Sequence, residues 1–250
     1  MPFIVIDAGH GGWDTGITGN GQQEKDVALR VATSLADRLQ ELGFKVKLLR
    51  EGDVDMGSAT KRGRAIARLH PDFALSFHVG SGGKAGSTIV VPLGKTCSKF
   101  ESALHKSLEE LRFSHRVCSK EARSQRTLNR SSAPGFRFAP APEGPDYYSI
   151  MREAWKGGVP LDMIELFDLE SEADSARFFQ LEEAYVEAVA KGLAHAFDLP
   201  YDRSVRHQPA AYYRVVCGAY DSLEEARHVQ NLLQKQFPNA WVQPVDPERR

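Results

Sequence analysis

His10 and His78 each follow a short apolar segment, where a side chain is well placed for metal chemistry. His10 lies in the stretch Asp-Ala-Gly-His-Gly-Gly at 7–12, after apolar residues 3–6, and His78 directly follows Phe-Ala-Leu-Ser-Phe at 73–77. Neutral imidazole is the commonest metal ligand in proteins. If both segments are parallel strands, their carboxyl ends bring the two rings to one edge of a sheet. Two histidines with one carboxylate form a known catalytic zinc set.

Three residues are candidates for the carboxylate of such a set. Glu24 stands in the first turn of a predicted helix, on the face that carries Val27, so its side chain should lean toward the sheet. An acid at a helix N-terminus also stabilises the helix dipole, which is the alternative explanation of Glu24. Asp7 and Asp14 are rival ligands, and Asp7 could instead orient a ligand histidine.

Glu165 is a candidate for proton transfer. It lies within the apolar stretch 159–167, where a buried strand is predicted. A carboxylate among apolar neighbours is costly unless it is paired or close to a cation. Burial would raise its pKa toward the range that is useful for general acid/base catalysis. The alternative is an acid at the exposed end of that strand.

The remaining histidines, the cysteines and the glycine-rich turn give weaker signals. No cysteine has a glycine-rich or strand-end context, so a Cys–His nucleophile pair is not supported. The turn around His10 contains neither G-x-G-x-x-G nor G-x-x-x-x-G-K-[ST], which disfavours a phosphate loop. We assign six histidines to structure or surface: His70, His105, His115, His195, His207 and His228.

Alternating strands and helices must position these residues. Apolar β-branched runs predict strands at 3–6, 46–49, 73–77, 87–91 and 161–166. Apolar residues at helical spacing predict helices at 24–42, 59–69, 98–112 and 172–197. The alternation predicts an α/β fold, with a mostly parallel sheet flanked by helices.

One long segment departs from this alternation. Residues 113–146 show no hydrophobic period, and from Arg112 to Arg137 there are seven Lys or Arg residues against one acid. We interpret the segment as a solvated surface excursion. A loop beside a polymeric or anionic substrate is the alternative.

A second unit is predicted after the last long helix. Pro200 and Pro209 mark residues 199–211 as a linker, and a strand–helix–strand pattern then restarts over 212–250. We therefore predict a catalytic domain over 1–198, followed by the linker and a small βαβ unit. That unit alone is too small to bury much core.

Composition narrows the class of protein. The 250 residues include 32 basic and 33 acidic side chains, so nothing in the net charge of -1 points to nucleic acid or an anionic membrane. Three cysteines are too few for a disulfide scaffold. No apolar run approaches the roughly 18 residues of a membrane helix. The N-terminus lacks the features of a signal peptide, so we expect a protein made in the cytoplasm.

Taken in order, the candidate residues resemble the zinc-dependent N-acetylmuramoyl-L-alanine amidases of the amidase-3 family, over about residues 3–197. The resemblance implies that one zinc ion is held by His10, Glu24 and His78, and that Glu165 is the catalytic glutamate. The family often has Asn where Gly80 stands here. The matching pieces are the stretch 4–16, Glu24-Lys25, Arg50, Arg62, Ser76-Phe-His78 and the stretch 160–167.

The same resemblance implies a peptidoglycan hydrolase that cleaves the amide between N-acetylmuramic acid and L-alanine of the stem peptide. Zinc in such a site lowers the pKa of water and polarises the scissile carbonyl. Glu165 would take the proton from water and hand it to the leaving amine. Two alternatives remain open, a catalytically inactive peptidoglycan-binding protein and a zinc peptidase acting on another wall amide bond.

The C-terminal unit, from Tyr213 onward, looks like half of a SPOR-type peptidoglycan-binding domain. Full domains of that type carry two βαβ halves, so we expect two chains to pair their halves as a homodimer. The resemblance extends to phage endolysins and to amidases freed by mother-cell lysis. We therefore expect action on the wall after release during lysis, with no membrane insertion and with the endolysin favoured.

Overall fold

The computed structural model describes residues 1–83, 85–93, 98–120, 127–129, 146–204 and 222–233. The chain divides into two compact units, Met1–His207 and Gln208–Arg250. In the described parts of the chain, no helix is long and apolar enough to cross a membrane.

A sheet of seven described strands runs through the first unit, in the order β4-β1-β5-β9-β6-β7-β8. The four strands β4, β1, β5 and β9 are parallel neighbours, whereas β6 runs antiparallel to β9. A short hairpin of β2 and β3 stands apart from the sheet. The strands are β1 Phe3–Ala8, β2 Thr18–Gly19, β3 Gln22–Gln23, β4 Lys45–Leu48, β5 Phe73–Gly80, β6 Ser87–Val90, β7 His115–Lys120, β8 Thr127–Asn129 and β9 Leu161–Asp168.

Helices cover both faces of this sheet, and the predicted fold class is confirmed. The larger apolar core lies between the sheet and α1, α3 and α5, and a smaller core lies under α2 and α4. The helices are α1 Glu24–Glu41, α2 Ala59–Leu69, α3 Ser98–Glu110, α4 Ser149–Lys156, α5 Glu172–Ala196 and, in the second unit, α6 Leu223–Leu233.

Helix α1 shows why the sequence pattern was informative. Its apolar residues Val27, Val31, Leu35 and Leu39 recur every four positions, and all of them are buried. Gly43 follows the helix with a φ of 87°, a left-handed conformation that favours glycine after a helix end. The predicted apolar face of this helix is therefore the face that packs on the sheet.

The prediction of an irregular segment over 113–146 is wrong for the part that the structure describes. Strand β7 pairs with β6, and β8 pairs with β7. The period of β7 was obscured because its buried residues Val117 and Cys118 are adjacent and do not alternate with exposed ones. Helix α4 was missed because its eight residues span little more than two turns. Residues 121–126 and 130–145, which include most of the basic stretch, lie outside the described residues.

In the second unit, α6 lies where the sequence predicts a helix. The two predicted strands of the second unit and residues 205–211 of the linker lie outside the described residues, as do Cys97, Cys217 and His207. The domain boundaries at 198 and 211 stay predictions.

The larger core contains a buried pair of acids. Asp162 of β9 and Glu101 of α3 have no exposed surface. Among the described residues, no donor hydrogen-bonds to either carboxylate oxygen of Asp162. Burial, followed by the charge of Glu101, raises the pKa of Asp162 well above its usual value. Folding therefore favours the protonated form of the Asp162 carboxyl group.

This pair should make the first unit less stable as pH rises. The folded-state pKa of Asp162 lies above its unfolded value, so the folded chain binds more protons than the unfolded chain in the interval between them. Stability must then fall as pH increases through that interval. We expect Asp162→Asn to flatten the decline in melting temperature as the pH rises above about 4, the ordinary pKa of an aspartate. Exposed Asp37→Asn is the matched control. Equal slopes in the wild type and Asp162→Asn would contradict the assignment.

Candidate metal centre

The sheet and helix α1 bring three predicted ligands together. Strands β1 and β5 are parallel neighbours, with Ala8 beside Phe77. His10 follows β1, whereas β5 extends past the predicted strand end to Gly80, so His78 lies within β5, near its carboxyl end. Glu24 is the first residue of α1. Its Oε1 lies 3.2 Å from His10 Nε2 and 2.8 Å from His78 Nδ1. One possible ligand atom from each of the three residues lies within 4.8 Å of the others.

Two glycines allow this close approach. A Cβ on Gly9 would lie 2.5 Å from Cε1 of His78, and one on Gly16 would lie 2.5 Å from Oε2 of Glu24. Any side chain at either position would displace a candidate ligand. The glycine-rich stretch around His10 is thus required by the packing of the cluster itself.

Glu24 is held rigidly as an anion. Its Oε1 also accepts a hydrogen bond from the Val79 amide at 3.0 Å, and its Oε2 accepts one from the Ile17 amide at 2.9 Å. Burial opposes its ionisation, but the hydrogen bonds and charges of His10 and His78 outweigh burial, so its pKa lies far below the usual value. The carboxylate is more than a helix-capping acid, because it faces two imidazoles inside the protein.

Asp14 orients His10, a role that the sequence suggested for Asp7. Its Oδ2 lies 2.9 Å from His10 Nδ1, and its Oδ1 accepts a hydrogen bond from the Gly16 amide at 3.1 Å. Desolvation opposes ionisation of Asp14, but the hydrogen bond with His10 prevails and lowers its pKa. Asp7 instead accepts a hydrogen bond from Ser76 Oγ at 2.7 Å and contacts no histidine of the cluster.

If the cluster holds a metal ion, Asp14→Asn should weaken its binding, although Asp14 is not one of the three candidate ligands. The amide cannot hold the imidazole of His10 as strongly as the carboxylate does, and loss of such a partner typically lowers metal affinity by about 10- to 100-fold. Competition with a chromogenic chelator would measure the zinc dissociation constant. Asp26→Asn, at an exposed position in the first turn of α1, is the control. Unchanged affinity in Asp14→Asn would contradict the orienting role.

Glu165 stands beside the cluster. Strand β9 pairs with β5 so that Glu165 lies opposite His78, and paired residues project from the same face of a sheet. The side chain is half-buried, and its Oε1 accepts a hydrogen bond from the Tyr148 hydroxyl at 3.2 Å. The predicted base therefore lies next to the predicted metal ligands, on the face of the sheet that carries α2 and α4.

The family model of N-acetylmuramoyl-L-alanine amidases matches residues 4–197. The chain belongs to that family. A SPOR domain model matches residues 180–244, which confirms the SPOR resemblance, although the match begins inside α5.

Curated relatives and solved structures agree with the family assignment. The amidase is 29% identical over 226 residues to the sporulation-specific N-acetylmuramoyl-L-alanine amidase of Bacillus subtilis, covering 88% of this chain and 76% of that protein. It is 26% identical to the amidase CwlM of Bacillus licheniformis, with coverage of 88% and 76%. The catalytic domain of CwlV from Paenibacillus polymyxa superposes with a TM-score of 0.61 at 21% identity, covering 80% of this chain and 100% of that one. At that identity, the superposition shows a shared fold.

Two basic side chains hold the His10 turn of the amidase in place. Arg50 donates hydrogen bonds to the carbonyls of Ala8, Gly9 and Lys25 at 3.0, 3.0 and 2.7 Å. Lys25 Nζ donates to the Gly12 carbonyl at 2.9 Å. The guanidinium thereby ties the end of β1 to the start of α1. Sequence reasoning found Arg50 and Lys25 through the family resemblance alone.

A buried charged layer lies next to the candidate ligands along the sheet. Asp7 and Ser76 are register partners on β1 and β5. Arg62 lies in α2, on the face of the sheet that this helix covers. Arg62 Nε lies 2.9 Å from Asp7 Oδ1. The contact is an ion pair rather than an aligned hydrogen bond, because the Nε–H does not point at that oxygen. Both side chains are almost fully buried.

The described histidines outside the cluster have other surroundings. His70 ends α2 with a φ of 48°, and His195 lies in the last turn of α5. His105 Nδ1 lies 2.6 Å from His115 Nε2, a pairing that no sequence pattern indicated. Burial lowers the pKa of His115. His228 belongs to α6 in the second unit.

Proposed function

We propose that this amidase is zinc-dependent and that it hydrolyses the amide between N-acetylmuramic acid and the L-alanine of the stem peptide. The observation that carries the proposal is the convergence of His10, Glu24 and His78 beside Glu165. Family membership supports the peptidoglycan amide as the substrate. The proposal of zinc dependence is supported by the chemistry of the three candidate ligands, two imidazoles and one carboxylate.

The residues of the cluster fit a zinc ion. Two imidazoles and one carboxylate are a ligand set of catalytic zinc sites, which leave a further position for water or substrate. The carboxylate of Glu24 already draws both rings toward one point. Asp14 supplies the carboxylate partner that zinc-binding histidines usually have.

Each residue then has a distinct task. His10, Glu24 and His78 would hold the zinc ion, which would supply a Lewis acid to acidify water and polarise the scissile carbonyl. Glu165 accepts the proton that water loses when its oxygen attacks the carbonyl carbon. The same carboxyl group returns the proton to the nitrogen of L-alanine as the C–N bond breaks. The products are a glycan strand with a free lactyl carboxylate and a peptide with a free amine.

The C-terminal unit is proposed to attach the enzyme to peptidoglycan, on the strength of the SPOR match. Pairing of two chains through this unit stays a prediction. Light scattering at concentrations where the enzyme is active would test it, and a monomer would overturn it. Action on the wall after lysis also stays a prediction, which fractionation of the producing cells before and after lysis would test.

Product analysis tests the proposed bond. Purified peptidoglycan would be digested with the zinc-loaded full chain, and the products would be identified by mass spectrometry. We expect free stem peptides that begin with L-alanine and glycan strands that have lost them. Cleavage within the peptide would make the protein a peptidase. Binding to the wall without release of peptide would make it an inactive binding protein.

A further inference from the structure

Tyr148 places its phenol against the carboxylate that the proposed reaction uses. Its hydroxyl donates a hydrogen bond to Glu165 Oε1 at 3.2 Å. Tyr148 is the residue directly before α4, whereas Glu165 lies in β9. The contact therefore depends on how α4 packs over the sheet, and no sequence spacing between the two residues predicts it.

The fold holds this tyrosine in place. Asp146, two residues earlier, is buried and accepts a hydrogen bond from the Leu93 amide at 2.7 Å. Arg152, one turn into α4, donates to the Asp146 carbonyl at 2.7 Å. The ring of Tyr148 packs against the smaller apolar core and meets the ring of Tyr147 edge to face. Contacts of residues before and after Tyr148 in the chain therefore fix the position of its phenol ring.

The hydrogen bond from Tyr148 can orient the carboxylate of Glu165, and a carboxylate base must be oriented to accept a proton. A glutamate side chain rotates about its last bond, and rotation moves its two oxygens away from the water that must lose a proton. A donor on Oε1 stops that rotation and leaves Oε2 to accept the proton. Burial, followed by the negative charge of Glu165, raises the pKa of Tyr148, so the phenol keeps its proton at neutral pH.

We propose that Tyr148 is a positioning residue of this amidase, whose hydroxyl fixes the carboxylate of Glu165 for proton transfer. The inference rests on the proposed function. Tyr148 would then take part in the reaction in addition to the three candidate zinc ligands and Glu165. Tyr148 acts through Glu165, the partner of its hydroxyl group.

The test uses the zinc-loaded full chain and a soluble muramoyl peptide, so that kcat and KM are separated. Tyr148→Phe removes one hydroxyl and keeps the ring. We expect kcat to fall roughly 10- to 100-fold, as for loss of a hydrogen bond to a charged group. KM, zinc content and melting temperature should match those of the wild type. Tyr147→Phe, which removes the neighbouring hydroxyl, should behave as the wild type.

A double variant separates positioning from a general structural role. If the phenol acts through Glu165, Tyr148→Phe should change the residual rate of Glu165→Ala by less than about twofold. A full additional loss in the double variant would overturn the inference, as would wild-type kcat in Tyr148→Phe. A lower zinc content or a lower melting temperature in Tyr148→Phe would also overturn the inference, because the residue would then have a structural role.

The controls distinguish this inference from the proposed function. If the wild type and Tyr147→Phe cleave the substrate and Tyr148→Phe cleaves it equally well, the inference fails and the proposed function stands. If neither the wild type nor Tyr147→Phe cleaves it, the proposed function fails and the inference fails with it.

Discussion

Glu165→Gln should greatly slow the hydrolysis of purified cell walls while the protein still folds and binds its metal. The amide has nearly the same size and keeps an oxygen for the hydrogen bond from Tyr148, but it cannot take a proton from water. General bases of this kind contribute about 10²- to 10⁴-fold to rate, and we expect a loss within that range. The release of peptides with a free L-alanine amine, compared at equal zinc content, measures it.

Glu172→Gln provides the matched control for this prediction. Glu172 is an exposed acid at the first position of α5, seven residues further along the chain. Its replacement should leave the rate of hydrolysis unchanged. The role of Glu165 would be wrong if its Gln variant retained full lytic activity. It would also be wrong if the variant lost activity only in proportion to lost zinc.

The largest effect on stability is expected at Arg62. Arg62→Met keeps the length of the side chain but removes the ion-pair partner of the fully buried Asp7. Removing one partner of a buried ion pair typically costs about 3–5 kcal/mol of folding free energy. The free energy of unfolding from urea titration would measure the loss. Because Ser76 joins Asp7 to β5, the damage should extend to the strand that ends near His78.

Arg64→Met is the control on the same helix. Arg64 pairs with Glu153 at 2.9 Å, but its side chain is 60% exposed. Exposed ion pairs contribute about 0–1 kcal/mol, so this variant should be nearly as stable as the wild type. Adding Asp7→Asn to Arg62→Met should recover part of the lost stability, because the orphaned charge is removed. Equal costs for Arg62→Met and Arg64→Met would refute the buried pair as a stabilising element.

The arrangement of the candidate site was largely predictable from the sequence. His10 and His78 each follow an apolar run, and the rule that parallel strands present ligands at their carboxyl ends places them together. The helical face of Glu24 directs it to the same edge. The choice of Glu24 over Asp7 and Asp14 came from the family resemblance, because side-chain spacing alone left all three open.

Contacts between distant side chains were not predictable. Tyr148 and Glu165, His105 and His115, and Glu101 and Asp162 each meet through packing of separate elements. Hydrophobic periodicity indicates which face of one element is buried. It does not indicate which residues of another element pack against that face. The same limit explains β7, whose pairing with β6 compensates for a weak apolar pattern of its own.

The proposed function requires that His10, Glu24 and His78 together bind the zinc ion of an active amidase. Zinc can be titrated into the chelator-treated full chain while peptide release is followed at each addition. We predict that the metal-free chain is inactive, that one equivalent of zinc restores activity, and that His78→Ala neither binds that equivalent nor regains activity. Full activity in the metal-free chain, or in zinc-loaded His78→Ala, would contradict that requirement.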